Sequence, residues 1–202
     1  MKLYYAPGAC SLATHILLCE VGAPFTTEKV NLQTKKTASG ADYTAINSKG
    51  AVPALLLDDG QLLTEVAVIL QYLADQKPDA ALAPRAGSFE RYRLLEILNY
   101  IATEVHKGFG PLFNPKASAD WKAGALANLS ARFDWLTGQL AGKSYLLGER
   151  FSIADAYLFT VLGWSGHVGI DLAKWPALAA YRARVGLRPK VQEALRAEGL
   201  LS

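Results

Sequence analysis

Long apolar runs are missing from this chain of 202 residues. Its longest purely aliphatic stretch, Val66–Leu70, falls far short of the ~20 apolar residues that cross a bilayer, so no membrane span is expected. Cysteine is scarce: Cys10 and Cys19 alone exclude a disulfide scaffold and suit the reducing cytoplasm. The opening Leu3–Ala6 is too short for the core of a secretory signal, and Pro7-Gly8 breaks it. Histidine is also sparse, and His15, His106 and His167 share no metal-binding spacing with Cys or Asp. No metal is expected. Arginine is absent before Arg85; residues 1–80 balance at −2 and the remainder at +5. That shift, beside Pro78 and Pro84, marks a boundary near residues 77–87. The basic set Arg182, Arg184, Arg188, Lys190 and Arg196 is diluted by Glu193 and Glu198 and has no interleaved aromatics. It reads as a solvated helical face, not a nucleic-acid surface.

What is present is an ordinary globular composition, 51% hydrophobic and 19% charged, which excludes disorder. The first 80 residues alternate short strands and helices. Lys2–Tyr5 is a strand ended by Pro7-Gly8, and Leu12, Ala13, Ile16 and Leu17 then share one helical face. Phe25–Leu32 alternates as a second strand. Ala54–Leu57 and Gln61–Leu63 flank Asp58-Asp59-Gly60, whose Asp-Gly step signals a hairpin. Thr64 is expected to cap a helix over Glu65–Asp75. From about Ser88 the pattern is helical: Leu94, Leu98, Ile101 and Val105 predict one long helix, and Trp121–Leu140 another. Ser152 and Asp155 open a third with a capping-box spacing. Helices over Pro176–Val185 and Pro189–Glu198 close the chain.

Cys10 is the residue most suggestive of chemistry. It stands after a strand and turn at a helix start, where unpaired N–H groups favour a thiolate; a small buried thiol is the bland alternative. Cys19 lies about two and a half helical turns further on, on the opposite face, and is expected to fill the core. Val52-Pro53 precedes a strand, where a cis bond would leave backbone groups open to an extended ligand. Glu65-Val66 opens a helix suited to a carboxylate. His106-Lys107 before Gly108 reads equally as a dipole complement at a helix end. Gly142-Lys143-Ser144 imitates a P-loop, but Thr137 stands where the first glycine belongs and a helix precedes it.

Taken in order, five segments resemble bacterial beta-class glutathione transferases. They are Met1–Leu12, Gly50-Ala51-Val52-Pro53-Ala54-Leu55, Leu63-Thr64-Glu65, Asn99–Lys107 and Ser152–Tyr157, with Ala197-Glu198-Gly199-Leu200 at the close. The resemblance spans nearly the whole chain. It implies a thioredoxin-like α/β glutathione-binding domain over residues 1–80, an all-α domain over 87–202 that forms the electrophile site, and a homodimer. Cys10 would face the glutathione sulfur, with Ser11, the Cys10 amide and His106 as donors to it. Lys35 would take the glycine carboxylate, Val52 before cis-Pro53 the cysteinyl unit, and Glu65 with the Val66 amide the γ-glutamyl end. Val66 stands where members usually carry Ser or Gly, so that contact would be through backbone alone. Asn99, Thr103, Glu104, Val105, His106 and Lys107 would line the cleft, some from the other subunit. The activity implied is conjugation of glutathione to apolar electrophiles, in detoxification or catabolism, with glutathione as co-substrate. Two alternatives on the same fold are a glutaredoxin-like reductase using Cys10 and a non-enzymatic binding protein.

Overall fold

The computed structural model describes residues 1–201 and divides into two compact units, residues 1–81 with the segment from Leu187 onward, and residues 82–186. Ser202, the last residue of the expected all-α domain, lies outside the described residues. Among the described residues no helix is long and apolar enough to cross a membrane.

In the first unit, five strands run in the order β3-β2-β1-β4-β5: β1 is Lys2–Tyr5, β2 Thr26–Asn31, β3 Lys36–Thr37, β4 Ala54–Leu56 and β5 Leu62–Thr64. β1 is central because it is apolar on both faces, and Leu3 and Tyr4 are both buried. It pairs parallel with β2, Leu3 opposite Thr27, and antiparallel with β4, Leu3 opposite Leu55. β4 turns into β5 through Asp58-Asp59-Gly60, where Gly60 takes a left-handed φ of 87°. Helix α1 (Ser11–Val21) and the short α2 (Tyr43–Ile46) join α3 (Val66–Gln76) in this unit. β3 and α2 lie in what sequence reading leaves as loop, since elements of two and four residues carry no periodicity. Thr64 is the last residue of β5, and Glu65 takes the N-cap place of α3. The expected Thr64 cap is thus corrected.

Sheet direction gathers the connections at one end. β1, β2 and β5 finish there and β4 begins there. The turn before α1, the loop holding Lys35, the segment Gly50–Pro53 and the β5–α3 junction are therefore neighbours by topology.

The closing helix α9 (Pro189–Ala197) belongs to this unit, although sequence reading places it with the helical domain. Its Val191 and Ala194 are buried, α1 is its packing partner, and Arg188 makes a two-pronged bond to Glu20 at 2.8 and 3.0 Å.

The second unit contains α4 (Phe89–Tyr100), α5 (Gly110–Phe113), α6 (Ala119–Gln139), α7 (Ile153–Leu162) and α8 (Pro176–Gly186). Every residue of α7 is buried, as an all-round apolar helix requires. The expected single helix through Val105 changes winding: Ile101–His106 is a π-helix and Lys107–Phe109 a 3₁₀ turn. Ile101, Val105 and Phe109 recur every fourth residue, wider than the 3.6 of an α-turn, and all three are fully buried. The wider π winding keeps Ile101 and Val105 on one core-facing line.

Candidate functional site

The turn after β1 presents Cys10. Ala9 N–H bonds Ala6 O at 3.0 Å, and Gly8 adopts φ 70°. Cys10 holds the N-cap position of α1, whose first turn has no acidic residue to offset its partial positive charge. Its thiol donates to the Val52 carbonyl at 3.1 Å, and the Val52–Pro53 bond is cis. Cys10 is partly exposed and Cys19 buried; burial pushes the Cys19 thiol up to about 12.

The Val52 segment is braced from behind. Tyr43 Oη and Asn47 Nδ2 both donate to the Ala51 carbonyl at 2.8 Å. Lys35, itself at φ 56°, lays its side chain over Gly50 and donates from Nζ to the Gly50 carbonyl at 2.8 Å. A cation therefore lies one turn of chain from Val52. At the β5–α3 junction Glu65 adopts φ 73°, a left-handed backbone that is strained for a residue with a side chain. Lys49 Nζ holds it, 2.6 Å from Glu65 Oε1 and 3.0 Å from Thr64 Oγ1. Val66 behind it is buried.

Two of the residues expected at the site are fully buried. Ser11 is fully buried, and its hydroxyl accepts from Ala6 N–H and donates to Ala6 O, both at 3.2 Å. It braces the turn. Val105 is likewise fully buried in the helical core, so its side chain lines no cleft. The burial follows from its place on the Ile101–Phe109 line.

Within the second unit the remaining predicted residues follow one another along α4, the π-helix and the start of the 3₁₀ turn. Asn99 is exposed, and its carbonyl accepts from Thr103 Oγ1 at 3.0 Å. Glu104 is engaged by Arg132, with Nε and Nη2 each 2.8 Å from Oε2. Lys107 is exposed. His106 sits at the end of the π-helix, a winding that recurs at functional sites. Its Nδ1 lies 2.7 Å from Tyr157 Oη, and its ring packs edge-on against Trp164 at 4.9 Å.

Sequence reasoning missed Tyr43, Asn47, Lys49, Tyr157 and Glu198. Their roles depend on partners distant in sequence, which single-residue patterns do not reveal. Tyr157 and Glu198 stand within motifs that carry the resemblance, but nothing local points to their partners.

Comparison with known proteins adds independent information. Residues 8–76 match the family model of the glutathione S-transferase N-terminal domain, and residues 100–189 that of the C-terminal domain. The chain is 51% identical to glutathione S-transferase GstA of Escherichia coli O157:H7, over 99% of this chain and 100% of that one. A sphingomonad glutathione S-transferase solved with glutathione is 50% identical, covers 99% of this chain and 100% of its own, and superposes with a TM-score of 0.96. A beta-class glutathione S-transferase of Sphingomonas chungbukensis is 51% identical with complete coverage of both chains, 100% each, and a TM-score of 0.96.

Proposed function

From the premise that the chain belongs to the glutathione S-transferase family and is a beta-class glutathione transferase, we propose a division of labour among its residues. The glutathione sulfur lies against Cys10 and the Val52 backbone, the glycine carboxylate meets Lys35, and the γ-glutamyl end meets Glu65 and the Val66 amide. His106, with Asn99, Thr103, Glu104 and Lys107, serves the conjugation from the helical unit. The observation that carries the reading is Cys10 itself: a partly exposed thiol at a helix start without acidic residues, 3.1 Å from the carbonyl before a cis proline. Lys35, held on the Gly50 carbonyl two positions before Val52, adds positive charge to the same end of the sheet.

The chemistry asks for little covalent help from the protein. The glutathione thiol gives up its proton to solvent water, the thiolate forms a C–S bond to an apolar electrophile, and the leaving group departs with the bonding pair. The helix-start amides stabilise negative charge on sulfur. The reading also takes the enzyme as a cytoplasmic homodimer that detoxifies or catabolises apolar electrophiles. The exposed Phe89 and Tyr92 on α4 supply an apolar patch for association.

Oxidised glutathione tests the placement of Cys10. The Cys10 thiolate attacks one sulfur of the disulfide, a new S–S bond forms, and one reduced glutathione leaves as thiolate. Intact mass and peptide mapping should show a single glutathionyl adduct on Cys10. Cys19 should remain free, because its raised ionisation range leaves almost no thiolate near neutrality. Adduct on Cys19 with Cys10 untouched would remove Cys10 from the glutathione site.

A further inference from the structure

We propose that Glu198, delivered by the end of the chain, is a positioning residue that sets the turn presenting Cys10. Its side chain is fully buried, where an unpaired carboxylate would be costly. Both oxygens are used. Oε2 accepts from Gly8 N–H at 2.9 Å, and Oε1 accepts from His15 Nδ1 at 2.9 Å. These partners bracket Cys10, one in the turn just before it and one on the α1 face just after it.

The chain end is shaped for this contact. Glu198 follows α9, Gly199 reverses the backbone at φ 72°, and Leu200 N–H returns to Leu195 O at 2.8 Å. That reversal lays Leu200 on the turn: a Cβ built on Gly8 would meet its Cδ2 at 3.7 Å, ordinary contact distance. The His15 ring is fixed in turn by edge contacts to Tyr5 at 5.8 Å and Phe25 at 5.6 Å. Ser11 ties the same turn at Ala6. Glu198 at Gly8 and Ser11 at Ala6 together leave the turn little freedom, and the direction of the Cys10 thiol follows from it. Loss of the carboxylate frees the Gly8 amide and the imidazole at once, so the thiol drifts from the α1 start that favours its ionised form.

The inference rests on the proposed role of Cys10, and the experiment separates the two. Iodoacetamide alkylation of Cys10 is followed against pH in the unliganded enzyme, beside conjugation of 1-chloro-2,4-dinitrobenzene. Arg188→Gln is the control, since it loosens the same chain end at Glu20 without touching Gly8 or His15. Glu198→Ala should slow alkylation at neutral pH by at least about fivefold, the rate equivalent of one ordinary hydrogen bond, and move its pH midpoint upward. Glu198→Gln, which keeps an oxygen acceptor, should fold and recover part of the rate; it carries the test if the alanine variant does not fold. Arg188→Gln should lose stability and keep the parent's alkylation profile. Parent-like alkylation in both Glu198 variants would overturn the proposal and leave Glu198 a structural tie. A shifted alkylation profile with unchanged conjugation would sustain Glu198 as the positioning residue and remove Cys10 from the glutathione reaction.

Discussion

Asp155→Ala is expected to melt about 6–12 °C below the parent, the consequence of losing about 3 kcal/mol in a chain of this size. Asp155 is fully exposed to no solvent at the start of α7, the helix at the heart of the second unit. Its Oδ2 accepts from Ser152 N–H and Ser152 Oγ, each at 2.7 Å, and its Oδ1 accepts from Leu146 N–H and Tyr181 Oη, each at 2.9 Å. An ordinary capping box satisfies two donors at about 1 kcal/mol each. This carboxyl satisfies four, and it also pins the Leu146 loop and α8 to the helix. Alanine leaves those donors buried without an acceptor, which costs more than the bonds themselves contribute. Glutathione affinity of the folded variant should stay close to the parent's. A large affinity loss at parent-like stability would make Asp155 a site residue instead.

The pH dependence has a definite sign. Burial raises the Asp155 carboxyl above its ordinary value, opposed by the bonds from Leu146, Ser152 and Tyr181. The unfolded chain therefore releases this proton first, near pH 3.9, and the folded chain only at higher pH. The stability that Asp155 adds is fully present below the unfolded value and declines as pH rises through the folded one. In urea titrations across the acid range, the gap between parent and Asp155→Ala should be widest at low pH and narrow upward. A gap that widens with pH would mean that the four donors outweigh burial and hold the folded carboxyl low.

Asp155 also illustrates what a sequence makes legible. Ser152 and Asp155 stand three residues apart, so their box can be read locally; the bonds to Leu146 and Tyr181 cannot. The same division runs through the fold. β1, α1, the Asp-Gly hairpin and α6 were readable because apolar spacing and turn residues act over a few positions. The π-helix was not, since Ile101, Val105 and Phe109 at intervals of four look like an ordinary helical stripe until the core forces the wider winding. Ser11 looked like a sulfur donor by chemistry and neighbourhood; only the path of the turn shows its hydroxyl engaged by Ala6. Glu198 and Gly8 meet across 190 positions, and Lys49 and Glu65 across 16, distances at which no periodicity carries information.

His106→Ala is expected to lower kcat/KM for conjugation at least tenfold while the melting temperature stays within a few degrees of the parent's. The bland alternative is a cation at a helix end, worth about 0.3–1 kcal/mol of stability and nothing specific to turnover. The local structure argues against it. A helix-end cation needs only proximity to the last carbonyls, whereas this ring is oriented. Nδ1 is fixed at 2.7 Å from Tyr157 Oη, on the buried helix α7, and the ring edge is seated on Trp164. Fixing one nitrogen orients the ring and aims the other, the arrangement a proton donor or relay requires. General acid–base roles typically contribute 10²–10⁴-fold; the tenfold floor, about 1.4 kcal/mol of transition-state stabilisation, allows Cys10 and the backbone donors beside it to carry part of the charge on sulfur. Tyr157→Phe removes only the orienting hydroxyl and should cost less than His106→Ala, chiefly in kcat, with glutathione KM little changed. Unchanged turnover in His106→Ala together with a clear fall in melting temperature would reduce His106 to a structural cation, and the chemistry would then rest on Cys10 and the residues of the first unit.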